Sequence, residues 1–262
     1  MRRFVPQKWI LASKVALVVV LVLILKHFIH TLNLEQLNVN TLFGAIISSN
    51  VFLIGFLISG VLTDYKEAEK LPDEIVANLE ALSDDALSLL NNQRHKKYFK
   101  TGYTLITNIS SQTKSWFYKK IRTAELIKSI DGLNEFIASL EGVVAPNYII
   151  RMKQEQNNLR RVIKRIRTIR ETSFNPSGYA VAEIITFLLI AGMIFTKAEP
   201  YYEGLFFVGF VSFMLIDMIL LIKDFDNPFG YYDHGTFAED VPLTHIEELE
   251  QRLKTKTGYR NR

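Results

Sequence analysis

Three features of this chain bear on chemistry. They are two carboxylates set in long apolar runs, and one apolar run whose hydroxyl groups gather on a single side. Glu183 lies near the start of the run from Tyr179 to Phe195, and Asp217 lies deep in the run from Leu205 to Ile222. A carboxylate surrounded by hydrocarbon is costly, so each acid is expected to face protein or water and to find a donor, or else to keep its proton. Structural pairing and ion coordination both stay open for them.

The hydroxyl-bearing run extends from about Thr41 to Thr63. At 3.6 residues per turn, Thr41, Ala45, Ser48, Phe52, Phe56, Ser59 and Thr63 share roughly one quadrant of a helix. The stripe reads polar, then aromatic, then polar. Repeated around a symmetry axis, it makes a water-accessible passage narrowed by rings of phenylalanine, which can gate by dewetting. Helix packing is the competing reading, because small residues on one face let helices approach and hydroxyls can bond to their own backbone.

Other chemistries find little support. With no cysteine among 262 residues, disulfides, thiolate metal sites and cysteine nucleophiles are excluded. The five histidines form no H-E-x-x-H motif, and no G-x-S-x-G occurs, so an enzyme is not expected. His27 and His30 stand one turn apart, where surface or packing roles outweigh a metal site. No cofactor, metal or nucleic-acid partner is expected.

The elements that must position the stripe are four apolar segments: about Val15 to Leu34, Thr41 to Thr63, Tyr179 to Phe195 and Leu205 to Ile222. Each is long enough to cross roughly 30 Å of hydrocarbon at 1.5 Å per residue, the third only just. Arg2, Arg3 and Lys8 before the first run also suit a secretory signal, but no small-residue cleavage site follows Lys26. Lys26 itself is expected to snorkel to the interface.

Basic residues close to a span mark its cytoplasmic side. Arg2, Arg3, Lys8 and Lys14 precede the first span, Lys66 and Lys70 follow the second, Lys164, Arg165, Arg167 and Arg170 precede the third, and Lys223 follows the fourth. The link from Thr31 to Asn40 holds no lysine or arginine, and that from Lys197 to Gly204 only Lys197. This asymmetry predicts a multi-pass membrane protein with both termini and the middle segment cytoplasmic. The expected organisation is an N-terminal segment (1–14), a first hairpin (15–63), a cytoplasmic helical region (64–176), a second hairpin (177–223) and a cytoplasmic tail (224–262).

The middle segment reads as helices, with a cap at Ser83, Asp84 and Asp85 before Ala86, and nothing in it alternates like a sheet. After Pro146, Leu159, Val162, Ile163, Ile166 and Ile169 recur at helical spacing among Arg160, Arg161, Lys164, Arg165, Arg167 and Arg170. Such a basic amphipathic helix is a packed helix with a solvated face, an anion-attracting vestibule or an anionic-lipid contact.

Two separated motifs make the chain resemble the bestrophins. Phe52-Leu53-Ile54-Gly55-Phe56, continuing to Tyr65-Lys66-Glu67-Ala68 and Leu71-Pro72, is similar to the bestrophin second span and the turn leaving it. Asp226-Asn227-Pro228-Phe229-Gly230, followed by Asp240-Val241-Pro242-Leu243 and a charged helix from His245, is similar to that family's D/N-P-F-G signature and tail. The likeness covers roughly half the chain.

It implies an all-α membrane protein with four transmembrane helices per subunit plus a cytoplasmic helical bundle. It also implies a homopentamer among membrane lipids that passes ions, anions being favoured and cations possible. The family's three neck positions fall on Ser48, Phe52 and Phe56, where Ser48 departs from the usual hydrophobic residue. Animal members follow the signature with an acidic run that clasps calcium. This chain has Tyr231-Tyr232-Asp233-His234, then Glu239 and Asp240, too few oxygen ligands for such a site, and in that respect it resembles the prokaryotic bestrophins, which implies a prokaryotic inner or plasma membrane. A non-conducting scaffold or sensor whose basic helices dock a partner is the rival function.

Overall fold

The computed structural model describes residues 9–38, 40–89, 95–230 and 240–259. Helix α1 spans Ile10–Thr31, strand β1 Leu37–Asn38, and helix α2 Thr41–Ala68. Helices α3 (Leu71–Ser88), α4 (Lys96–Phe117), α5 (Thr123–Asp131), α6 (Leu133–Ala138) and α7 (Pro146–Glu171) follow. The chain continues through α8 (Pro176–Ile194), β2 (Thr196–Lys197), α9 (Tyr201–Phe225) and α10 (Thr244–Tyr259). The described residues contain four stretches long and apolar enough to cross a membrane, carried by α1, α2, α8 and α9.

Two compact units divide the chain. The first holds α1, β1, α2 as far as Tyr65, and the residues from Ser173 to Pro228 with α8, β2 and α9. The second holds Lys66–Thr172 with α3 to α7, then Phe229, Gly230 and the residues from Asp240 with α10.

In the first unit each helix starts and stops on local chemistry. Asn40 accepts a bond from the Phe43 amide at 2.9 Å and so caps α2. Asn175 accepts from Gly178 N–H at 3.0 Å, with Pro176 at the first helical position of α8. α1 stops at Thr31, short of the expected Leu34, because Asn33 takes a left-handed φ of 53° and turns the chain. The core joins Ile54, Leu57 and Val61 of α2 to Ala182 and Leu189 of α8 and to Leu215 and Ile222 of α9. α1 packs on α9, where Leu23 lies against Gly209. A short parallel pairing of Leu37 with Thr196 and Asn38 with Lys197 ties the two hairpin links together, a sheet element the sequence did not suggest.

The second unit is a helical bundle around Ile75, Leu79, Ile106, Ile109, Leu126, Ile163 and Ile166. Here the expected cap at Ser83 to Asp85 does not exist, for α3 runs through it and buries Ser83 and Asp85. Asp85 is retained inside by Arg151 of α7, whose Nε donates to it at 2.9 Å. α7 buries Leu159, Val162, Ile163 and Ile166 as its periodicity predicts, and Ile169 is half-buried.

Candidate functional site

The second span presents two opposed faces. Ile54, Leu57 and Val61 are buried in the core, and roughly half a turn away Thr41, Ala45, Ser48, Phe52, Phe56, Ser59 and Thr63 are all exposed. Phe52 is 78% exposed and Phe56 63%. Two large rings on the open face of a helix whose other side is packed need either lipid or another protein surface to cover them.

The hydroxyls of the stripe do not reach across to other helices. Ser48 donates to Gly44 carbonyl at 3.0 Å and Thr63 to Ser59 carbonyl at 3.0 Å, each one turn back. This leaves the oxygen lone pairs outward, ready for water. Beside the stripe, a Cβ added at Gly44 or Gly55 meets nothing within 4 Å.

The packed face carries a polar contact that the hydroxyl pattern hid. Asn50 is buried and donates from Nδ2 to Thr186 Oγ1 of α8 at 2.8 Å. The signal was there, since Asn50 is an amide inside an apolar span, but it falls off the stripe. Glu183 pairs with Lys223 of α9 at 2.6 Å, the structural outcome weighed for it. Asp217 is half-buried and makes no hydrogen bond or ion pair among the described residues.

Lys26 does not snorkel. It is 1% exposed, and its Nζ donates to Glu35 Oε1 at 2.5 Å and to the Thr196 carbonyl. Glu35 Oε2 meets His30 Nδ1 at 2.9 Å, and His30 stacks on Tyr201 with ring centroids 3.9 Å apart. The reason is local: a carboxylate nine residues on offers a closer partner than water. Burial pushes the Glu35 carboxyl up, but the Lys26 and His30 bonds and charges outweigh it and hold it below the usual range. His27 bonds Tyr201 Oη at 2.9 Å, so both histidines serve packing.

In the second unit, Glu67 accepts two bonds from Arg165 at 2.7 and 2.5 Å, and that guanidinium holds its carboxyl below the usual range. The Asp226 to Gly230 motif divides between the units. In the first, Asp226 accepts from Phe174 N–H at 2.9 Å and so joins the turns that flank the second hairpin, while Asn227 donates to Asp224 carbonyl at 3.2 Å and Pro228 ends the segment. In the second, Phe229 is fully buried against Phe117, and Gly230 N–H donates to Asp240 at 3.1 Å. Residues 231–239, where the acidic run of animal bestrophins is missing from the sequence, lie outside the described residues.

No protein-family model and no curated relative matches this sequence. Solved structures do. A bacterial Bestrophin homolog from Klebsiella pneumoniae, phased by Zn-SAD, superposes with a TM-score of 0.72 at 18% identity, covering 95% of this chain and 97% of that one. Two single-residue mutants of the Klebsiella pneumoniae homolog give TM-scores of 0.75 and 0.71 at 18% and 17% identity, over 94% and 95% of this chain and 97% and 98% of theirs. The chain has the bestrophin fold.

The bestrophin fold extends the likeness beyond the two motifs, through the middle segment where the sequence offered only helicity. With it, the chain is an integral membrane protein; its described residues are all-α apart from the two-residue pairing and include four helices long and apolar enough to cross a membrane. Ser48, Phe52 and Phe56 occupy one exposed face of α2 in this fold.

Proposed function

We propose that this chain is the subunit of a passive ion channel of the bestrophin type. Five copies close a ring, α2 from each lines the axis, and Phe52 and Phe56 form a hydrophobic neck with Ser48 as its wider outer turn. The observation that carries this reading is the exposure of all seven stripe residues opposite the packed face of α2. One polar stripe cannot enclose a passage alone, so a cyclic assembly is required. Lys66, exposed and on the same helical face three residues past Thr63, favours anions over cations at that end. Both termini and the middle segment are cytoplasmic, as the lysine and arginine bias requires.

The test is reconstitution of the purified protein in planar bilayers under a salt gradient. The expected result is a current whose reversal potential reports anion permeation. Because apolar rings disfavour water, Phe52→Ala and Phe56→Ala widen and wet the neck, and their conductance rises. Intact oligomers with unchanged currents, or wild-type protein that passes none, refute the assignment.

A further inference from the structure

The first unit holds a cavity of about 460 Å³ where the start of α2, the end of α8 and the first turns of α9 meet the β1 to β2 pairing. Its floor is apolar. Met193 and Val208 are buried and Phe43, Ile47 and Val211 half-buried around it, while the Phe207 ring stands 58% exposed at its edge. The rim is polar, formed by Asn38, Lys197, Glu199 and Glu203.

The walls are set before any occupant arrives. Thr196 is buried, its Oγ1 donates to the Met193 carbonyl at 2.7 Å, and its own carbonyl accepts from Lys26. Two glycines shape the sides. A Cβ at Gly204 would lie 2.5 Å from that of Ala198, and one at Gly192 would lie 3.3 Å from the Phe43 ring. Glycine therefore lets Ala198 cross the start of α9 and seats Phe43 against α8.

The sign of the site follows from which charges are already matched. Lys197 lies 2.8 Å from Glu199, and that bond raises the lysine pKa and lowers the glutamate pKa, so the pair neutralises itself. Lys26, behind the Thr196 wall, is matched by Glu35. The negative end of α8 and the positive end of α9 both reach this cavity and oppose each other. Glu203 is left over. It is exposed and makes no hydrogen bond or ion pair among the described residues, so it gives the rim its unmatched charge.

A carboxylate in the first turn of a helix is favourable by itself, so Glu203 alone would assign nothing. The floor beneath it is the second observation. Small-molecule sites have volumes of about 300 to 1,000 Å³, mostly apolar linings and a few polar groups that fix orientation, and this cavity has that form. A hydrocarbon chain would fill the floor and leave Glu203 unmatched, while an anion would meet the wrong sign. A cation with an apolar body satisfies both, and Phe207, one turn on from Glu203, adds the attraction of an aromatic face.

We propose that this cavity binds a small soluble organic amine, its protonated nitrogen paired with Glu203 and its apolar body seated among Phe43, Ile47, Met193 and Val211. The site uses no residue of the exposed α2 stripe. Its occupancy is read without a current, so its failure would leave the channel reading standing, and the reverse holds too.

The full-length protein is purified in dodecyl maltoside, which brings no ammonium group of its own, and titrated with cyclohexylmethylamine at neutral pH. Saturation-transfer NMR reads the bound amine, with empty micelles as the blank and cyclohexylmethanol as the uncharged isostere. The expected result is saturable binding of the amine, about tenfold weaker for the alcohol. Glu203→Gln keeps the shape and removes the charge, and weakens the amine about tenfold. Lys197→Met releases Glu199 from its pair and so tightens the amine about threefold. All three side chains are exposed, so each variant folds as the wild type does.

No amine signal above the micelle blank, equal binding of amine and alcohol, or equal binding by wild type and Glu203→Gln overturns the proposal. Weaker binding in Lys197→Met would give the cavity the opposite sign and overturn it as well. Loss of the amine signal when phosphatidylethanolamine is added to the micelles would assign the cavity to a lipid headgroup in place of a soluble amine.

Discussion

Lys26 shows how a single charge changes its meaning once its partner is known. Taking a buried ion apart from its partner costs about 3 to 5 kcal/mol, because the remaining charge stays desolvated. Lys26→Met is therefore expected to destabilise the fold by about that amount, and Lys26→Met with Glu35→Gln to recover much of it, as read from thermal unfolding in detergent. The pair also has a pH signature. Glu35 has a lowered folded-state pKa, so its contribution is complete above the ordinary carboxylate range and is lost as pH falls through the folded value. Wild type should lose stability on acidification more steeply than the double variant. Equal acid profiles would show that Glu35 does not carry this clasp. Nothing in the sequence near Lys26 announced it, because the decisive contacts include a carbonyl 170 residues away.

At the scale of elements, α10 docks on α3 and α4 by burying Ile246, Leu249 and Leu253, with charges paired around them. His245 meets Asp73 at 2.6 Å, Lys114 meets Glu247 at 2.9 Å and Arg252 meets Glu80 at 2.5 Å. The Asp73 bond and charge raise the His245 pKa, with Glu248 adding to them. A raised folded-state pKa gives a contribution that is full below the ordinary histidine value and fades as pH climbs through the folded one. Hydrogen exchange of α10 amides, corrected for intrinsic rates, should show protection falling by less than about fivefold over that window, and His245→Gln should flatten the change. An unchanged slope in that variant would remove His245 from the docking. The spans and the face of α7 were legible because hydropathy and helical period are local properties. The continuity of α3 through Ser83 was not, since Asp85 tolerates burial only beside Arg151, 66 residues on. The β1 to β2 pairing was hidden for the same reason: two residues in each of two distant links carry no pattern.

For the whole molecule, the open face of α2 is the surface whose cover decides the assembly. Seven stripe residues were legible from period alone, whereas the partner that covers Phe52 and Phe56, lipid or protein, has no signature in the period. Gly44 and Gly55 separate the possibilities. Within one subunit a Cβ at either meets nothing within 4 Å, so alanine there is harmless to the subunit and favours the helix. In a ring where α2 packs against its neighbour, the same methyl groups fall into a close helix contact, because small residues are what let such helices approach. Gly44→Ala with Gly55→Ala is therefore expected to leave subunit helicity and unfolding midpoint unchanged or raised, while shifting the oligomer toward smaller species in detergent. Circular dichroism and mass photometry measure the two quantities on one preparation. A variant that keeps the wild-type oligomer would place these glycines against lipid or water, away from any contact between copies of α2. A variant that loses helicity would mean the two positions are packed within the subunit itself.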